Sequence, residues 1–158
     1  MQGSARVIEY LNAYLAIELT GHRQYLRNSR SCANWGFDRL ADIQYDYSVE
    51  EMEHAAKLAD RILFLEGEPD FSASAVIESA ATPIDQLQQD LALIKRARRV
   101  LGEAIAHCEQ QADFVSRGLL SAMLEDEEQH TDWLETELEL VERIGLQNYL
   151  QSQQCKSV

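Results

Sequence analysis

The chain has 158 residues, 46% hydrophobic and 26% charged, with only seven glycines and two prolines. That points to a single, mostly helical domain spanning 1–158 and argues against a β-sandwich or a disordered chain. Fourteen basic residues against twenty-seven acidic ones leave a net charge of −13, which disfavours nucleic acid and anionic membranes as partners and favours cations.

Four long helical patterns divide the chain at its few breakers. The first is expected over about 5–34, with Ser4 as N-cap and Gly36 after its end. Its inward stripe runs Ile8, Leu11, Leu15, Glu18, His22, Tyr25, Ser29 and Cys32, spaced by threes and fours. The second is expected over about 39–66, capped by Asp38 and stopped by Gly67; its stripe includes Leu40, Gln44, Tyr47, Glu51, His54, Leu58 and Arg61. Thr82-Pro83-Ile84-Asp85 opens the third, over about 83–112, with a capping threonine, a proline in the first turn and a carboxylate behind it. The fourth covers about 114–144 and stops at Gly145, and an apolar tail predicts a short piece over 146–151.

Tight joints near Gly36 and Asp113 make two antiparallel hairpins. The sixteen residues from Gly67 to Thr82 can stretch to about 53 Å, enough to cross the whole bundle and leave helices two and three parallel. The expected fold class is therefore all-α: a ferritin-like four-helix bundle with one long crossover between helices two and three and a short fifth helix. The odd number of cysteines, Cys32, Cys108 and Cys155, without CxxC spacing, reads as reduced thiols. No signal peptide or apolar run of spanning length is present, so a soluble, cytoplasmic protein is expected.

The chemistry lies in interruptions of the apolar seams. Glu18 breaks the first stripe, Glu51 with His54 the second and Glu127 with His130 the fourth. Both pairs are Glu-x-x-His, a spacing that puts the two side chains on one helix face. A surface glutamate beside a core histidine would explain one such pair. Two pairs, each centred in an apolar stripe and related by an offset of 76 residues, point instead to a site for iron, manganese or zinc. The same offset carries Glu18 to Ile94, where a symmetric dimetal site needs another carboxylate, and Ala92 to Ala97 contains no acid. One turn on, it pairs His22 with Arg98. Either Arg98 snorkels outward, or its guanidinium reaches Glu51 and Glu127 and partly replaces a second metal ion. Met52 faces away from the bundle core, where a methionine is ordinarily interface filler.

These residues resemble bacterioferritin over essentially the whole chain. The strongest stretches are Asn34-Trp35-Gly36, Glu51-Met52-Glu53-His54, Arg61 to Gly67, Asp126 to His130, Asp132 to Leu138 and the tail Gly145 to Leu150. The resemblance implies a shell of twenty-four subunits, built through twofold dimers, that stores iron as a ferric mineral after oxidising it with dioxygen or peroxide. By position, Glu18 and His54 would be terminal ligands of one iron, His130 would bind the other, and Glu51 and Glu127 would bridge. Tyr25 matches a tyrosine near that centre, and Met52 an axial ligand of haem b held between two subunits. Ile94 stands where complete centres have glutamate, so one iron rather than two, and weak ferroxidase activity, are expected. The chain looks like a haem-carrying subunit that co-assembles with a second bacterioferritin subunit, with a ferredoxin-type reductase as a further partner. The competing class is a stand-alone di-iron peroxidase of the rubrerythrin kind.

Overall fold

In the computed structural model, which describes residues 1–73 and 75–154, five helices follow one another. They are α1 (Ala5–Trp35), α2 (Asp38–Phe64), α3 (Pro83–Gln110), α4 (Phe114–Ile144) and α5 (Leu146–Ser152). At about 1.5 Å per residue, the four long ones span roughly 40–46 Å each. The fold is the expected four-helix bundle with a short fifth helix.

The termini follow local chemistry. Gly36 ends α1 in the left-handed region at φ 84°, a conformation that costs glycine nothing. Thr82 and Asp85 form a reciprocal capping box at the start of α3, with Pro83 in its first turn. Asp113 caps α4 by accepting from the Ser116 N–H. Two expected boundaries shift. Asp38 is the first helical residue of α2 rather than its cap, and Phe37 precedes it without a side-chain cap bond. The chain leaves α2 at Phe64, before Gly67, and Glu66 takes the left-handed turn at φ 61°. Gly67 serves another purpose: a Cβ there would lie 2.8 Å from Ile8 Cγ2, so its lack of a side chain lets the crossover start flush against α1.

The crossover sets the topology. Asn12 on α1 bonds the Glu68 carbonyl and the Asp70 N–H, Thr20 accepts from the Ala75 N–H, and Arg27 donates to the Glu78 carbonyl. The segment thus climbs alongside α1 and delivers the chain to the end where α2 began, so α3 runs parallel to α2. Contacts from Cys32 to Gln86 and from Tyr10 to His107 confirm that α3 is antiparallel to α1.

The apolar interior is divided in two. One cluster, including Val7, Leu11, Tyr14, Leu58, Ile62, Leu101 and Leu120, fills the end nearest the α1 N-terminus. The other, including Cys32, Leu40, Leu87, Ile94, Leu134 and Tyr149, fills the opposite end, where α5 docks. Between them lies a belt of buried polar side chains: Glu18, Gln24, Asn28, Gln44, Glu51, His54, Asp90, Glu127 and His130. Arg61 keeps its side chain mostly buried and donates to Ser116 Oγ and Asp113 at 2.8 Å each, tying α2 to the start of α4. No helix among the described residues is long and apolar enough to cross a membrane. Cys32 and Cys108 are buried free thiols, whereas Cys155 lies outside the described residues.

Candidate metal centre

Three helices meet at the belt. Glu18 comes from α1, Glu51 and His54 from α2, and Glu127 and His130 from α4, all 5% exposed or less. Glu18, Glu51 and His54 bring one ligand atom each to within 4.8 Å of one another, and so do Glu51, Glu127 and His130. Glu51 belongs to both groups. It is pressed close to the α1 backbone, because a Cβ on Gly21 would sit 3.3 Å from its Cγ and Cδ.

The donor atoms lack partners. Glu18 Oε1 and Oε2, Glu127 Oε2, His54 Nδ1 and His130 Nε2 are buried without any hydrogen bond. His54 Nδ1 lies 3.5 Å from Glu18 Oε2, close enough for Coulomb attraction without forming a hydrogen bond. Its other nitrogen, Nε2, is 3.2 Å from Asp126 Oδ2. A carboxylate on the far nitrogen of a ligating histidine fixes the ring and its tautomer. Unpaired buried polar atoms are costly and rare, so their convergence marks a place built for a cation. Oxygen and imidazole donors together suit first-row divalent metals.

The titration behaviour agrees. Burial pushes the Glu18 carboxyl up, against the pull of His54. Burial likewise raises Glu127, with the Glu18 charge adding to it. Burial alone drives His130 down to about 3, which leaves a neutral imidazole with a free lone pair. For His54 burial works downward, but the facing Glu18, Glu50 and Asp126 carboxylates outweigh it and hold the ring above its usual value. Glu50, half-buried, forms a third acidic group with His54 and Asp126.

The positive charge that Arg98 was offered to supply does not arrive. Its guanidinium turns to the surface and meets Glu128 at 3.4 Å, because the extended side chain carries its charge to water while its stem covers apolar surface. His22 is likewise uninvolved: its Nδ1 is 2.7 Å from the Ser48 carbonyl, a link between α1 and α2.

No carboxylate from α3 reaches the centre. Ile94 is 1% exposed and packed in the second apolar cluster. The nearest acid on that face, Asp90 one turn earlier, is fully buried and already engaged: Gln24 and Asn28 donate to Oδ1 at 2.7 and 2.9 Å, and Gln44 donates to Oδ2 at 2.6 Å. Burial lifts Asp90 from 3.8 to about 6 despite these donors. The folded protein therefore holds this proton more tightly than the unfolded chain does. Its stabilising effect is complete below about pH 4 and is lost as pH rises through about 6, a difference of about 3 kcal/mol for a shift of two units. Compared with Asp90→Asn, the wild type is expected to lose that much unfolding free energy between pH 4 and pH 7 in denaturant titrations. Gln44, whose Oε1 is free, can turn its amide to serve the asparagine. Equal pH slopes in the two proteins would refute the assignment.

Aromatic rings enclose the His130 side. Tyr47 stacks on its imidazole with ring centres 3.4 Å apart and planes at 16°. Tyr25, 1% exposed, stands edge-on with centres 5.2 Å apart, and Trp133 is 5.9 Å away. On the opposite side the Tyr14 hydroxyl donates to Glu127 Oε1 at 3.0 Å. Met52 is not part of this assembly; it is 51% exposed on the outer face of α2. Tyr14, Gly21, Tyr47 and Asp126 belong to the site and were not singled out from sequence. Tyr14 and Tyr47 carried a signal, since they lie four residues before Glu18 and Glu51 and so on the same helix faces, Tyr47 on the expected inward stripe.

A bundle with one long crossover, holding carboxylates and two Glu-x-x-His pairs across its middle, defines the ferritin-like class of metal-carboxylate proteins. The ferritin-like domain family matches residues 8–144. A "Bacterial ferritin" of Pseudomonas aeruginosa is 45% identical over 154 residues, which cover 97% of this chain and 99% of that one. A "Bacterial ferritin" of Synechocystis is 43% identical over 97% of this chain and 99% of its own length. A "Bacterioferritin" of Rhodobacter capsulatus is 39% identical over 94% and 92%. The chain belongs to the bacterioferritins.

Proposed function

We propose that this chain is the subunit of an iron-storage shell, taking up Fe(II) at the belt for deposition as ferric mineral. What carries the reading is the set of buried, partnerless carboxylate and imidazole atoms at mid-bundle, in a chain whose relatives are bacterial ferritins and bacterioferritins. Iron is substrate here. Glu18, Glu51 and His54 surround one position, and a divalent ion there offsets carboxylate charge that is otherwise stranded in low dielectric. The second position has His130 and shares of Glu51 and Glu127, but a hydrocarbon at Ile94. Reduction of dioxygen to peroxide takes two electrons and each Fe(II) supplies one, so a centre that holds one ion firmly and the other poorly oxidises slowly. A co-assembled subunit with a complete centre would supply the speed. Tyr25, buried beside His130, is the residue assigned to assist that chemistry.

Haem b is the second group proposed, and Met52 of each of two twofold-related subunits of a twenty-four-subunit particle would hold it. Met52 fits that role because its thioether is half-exposed on an outward helix face, which also carries the exposed Tyr45 two turns earlier. Bound haem would supply an electron route for iron release, fed by a ferredoxin-type reductase. The free buried thiols accord with a cytoplasmic setting.

The test is to produce this chain alone and measure particle mass, iron and haem. A hollow particle more than tenfold heavier than a dimer of two 18.0 kDa chains, with anomalous scattering from iron beside His54, is expected. Met52→Leu should leave the particle and its iron intact and abolish the Soret band. A free dimer would favour the stand-alone peroxidase, and an unchanged Soret band would remove Met52 from haem binding.

A further inference from the structure

The two positions of the belt differ in what surrounds their ligands. Around His54 oxygen is plentiful. Its ring belongs to two groups of ligand atoms, one with Glu18 and Glu51 and another with Glu50 and Asp126, and the last two carboxylates both reach solvent. Around His130 the group is a single one: its imidazole with one oxygen each of Glu51 and Glu127. The walls there are ring and hydrocarbon. Tyr47 lies flat on the imidazole, Tyr25 meets it edge-on, and Trp133 stands 5.9 Å away. Ile94, at the position that the 76-residue offset equates with Glu18, is 1% exposed in an apolar cluster.

That difference separates divalent ions. Zn(II) is satisfied by three protein donors and one water. Fe(II) on three protein donors keeps several open positions, and each water that would fill one needs polar partners of its own. Zinc also stands above ferrous iron in intrinsic affinity for nitrogen and oxygen donors. We propose that the position beside His130 is a zinc site, held by His130, Glu51 and Glu127, and that iron keeps to the position beside His54. Glu51 belongs to both groups and so serves both ions. Zinc has no redox chemistry; seated there it takes the place of a second iron and leaves the subunit with one oxidisable ion. Ile94 sets the preference by withholding the oxygen that a larger coordination shell requires. This inference rests on the reading of the belt as a metal centre.

The test loads assembled, metal-free protein, without oxygen, with one Zn(II) and one Fe(II) per chain and records diffraction on both sides of the zinc and iron absorption edges. Zinc is expected beside His130 and iron beside His54. The zinc-to-iron ratio should be at least about tenfold higher beside His130, the lower end of what a changed ligand environment does to metal affinity. Ile94→Glu should shrink that difference to less than about threefold. A second measurement needs no variant: Zn(II) titrated into protein already holding one Fe(II) per chain should bind one equivalent and release no iron to a coloured ferrous chelator. Matching ratios at the two positions, zinc gathered beside His54, an unchanged difference in Ile94→Glu, or stoichiometric release of iron would each overturn the zinc assignment while leaving the metal centre standing. Neither metal at either position would remove the centre itself.

Discussion

Exchange of Ile94 for glutamate is expected to raise the initial rate of Fe(II) oxidation by dioxygen at least tenfold, and to destabilise the metal-free protein by about 3 kcal/mol. Both effects have one origin. Ile94 is a 1% exposed member of the apolar cluster formed with Leu40, Leu87 and Leu134. A carboxyl placed there loses the packing of the isoleucine and, without a cation, has no partner in low dielectric. With a cation bound next to His130, the same oxygen completes the ligand set of the second position. Stopped-flow absorbance of the forming ferric species measures the rate, and thermal unfolding with and without metal measures the cost. For a chain of this length, 1 kcal/mol corresponds to roughly 2–4 °C, so the metal-free midpoint should drop by about 6–12 °C and recover on loading. If the rate does not change although a second ion is bound, the missing ligand is not what limits oxidation.

The second large effect is expected at Glu51. It is the one side chain common to both ligand groups and lies against Gly21 with no room to be displaced toward α1. Glu51→Gln keeps its shape and removes its charge. Affinity for the first ion should fall about 100-fold, close to 3 kcal/mol, since a neutral amide oxygen no longer opposes the ion's charge. In the metal-free state the change should act in the opposite direction, because it relieves repulsion among Glu18, Glu51 and Glu127, all buried; a rise of about 3 °C in the midpoint is expected, equivalent to about 1 kcal/mol. Calorimetric titration with Co(II) and thermal scans of the metal-free protein give both numbers. Parallel losses of affinity and stability would mean that Glu51 serves packing rather than metal.

Much of the fold was legible because the signals were local. Thr82, Pro83 and Asp85 announce a helix start through chemistry confined to one turn, and Gly36 announces a stop. The two Glu-x-x-His pairs were legible for the same reason: helical periodicity alone puts positions three apart on one face. What stayed hidden depended on other helices. Arg98 falls on an inward stripe, but a long flexible side chain on that stripe can end at Glu128 on the surface. Asp126 precedes a ligand by one residue and so points elsewhere on its own helix, and only the approach of α2 brings it to His54 Nε2. Tyr47 has the form of a seam residue until α4 places the His130 ring flat against it. Asp90 lies a full turn before position 94, and its three amide partners come from α1 and α2.

The division of the interior into two greasy ends and a hydrophilic waist means that cohesion is unevenly distributed along the barrel of helices. Each end is fastened by hydrocarbon, which works with or without cargo. The waist is fastened by whatever neutralises its acids, so its local stability is expected to rise with cation binding while that of the two ends is not. On the proposed function, iron would then be cargo and also the cation that holds the middle of the bundle together.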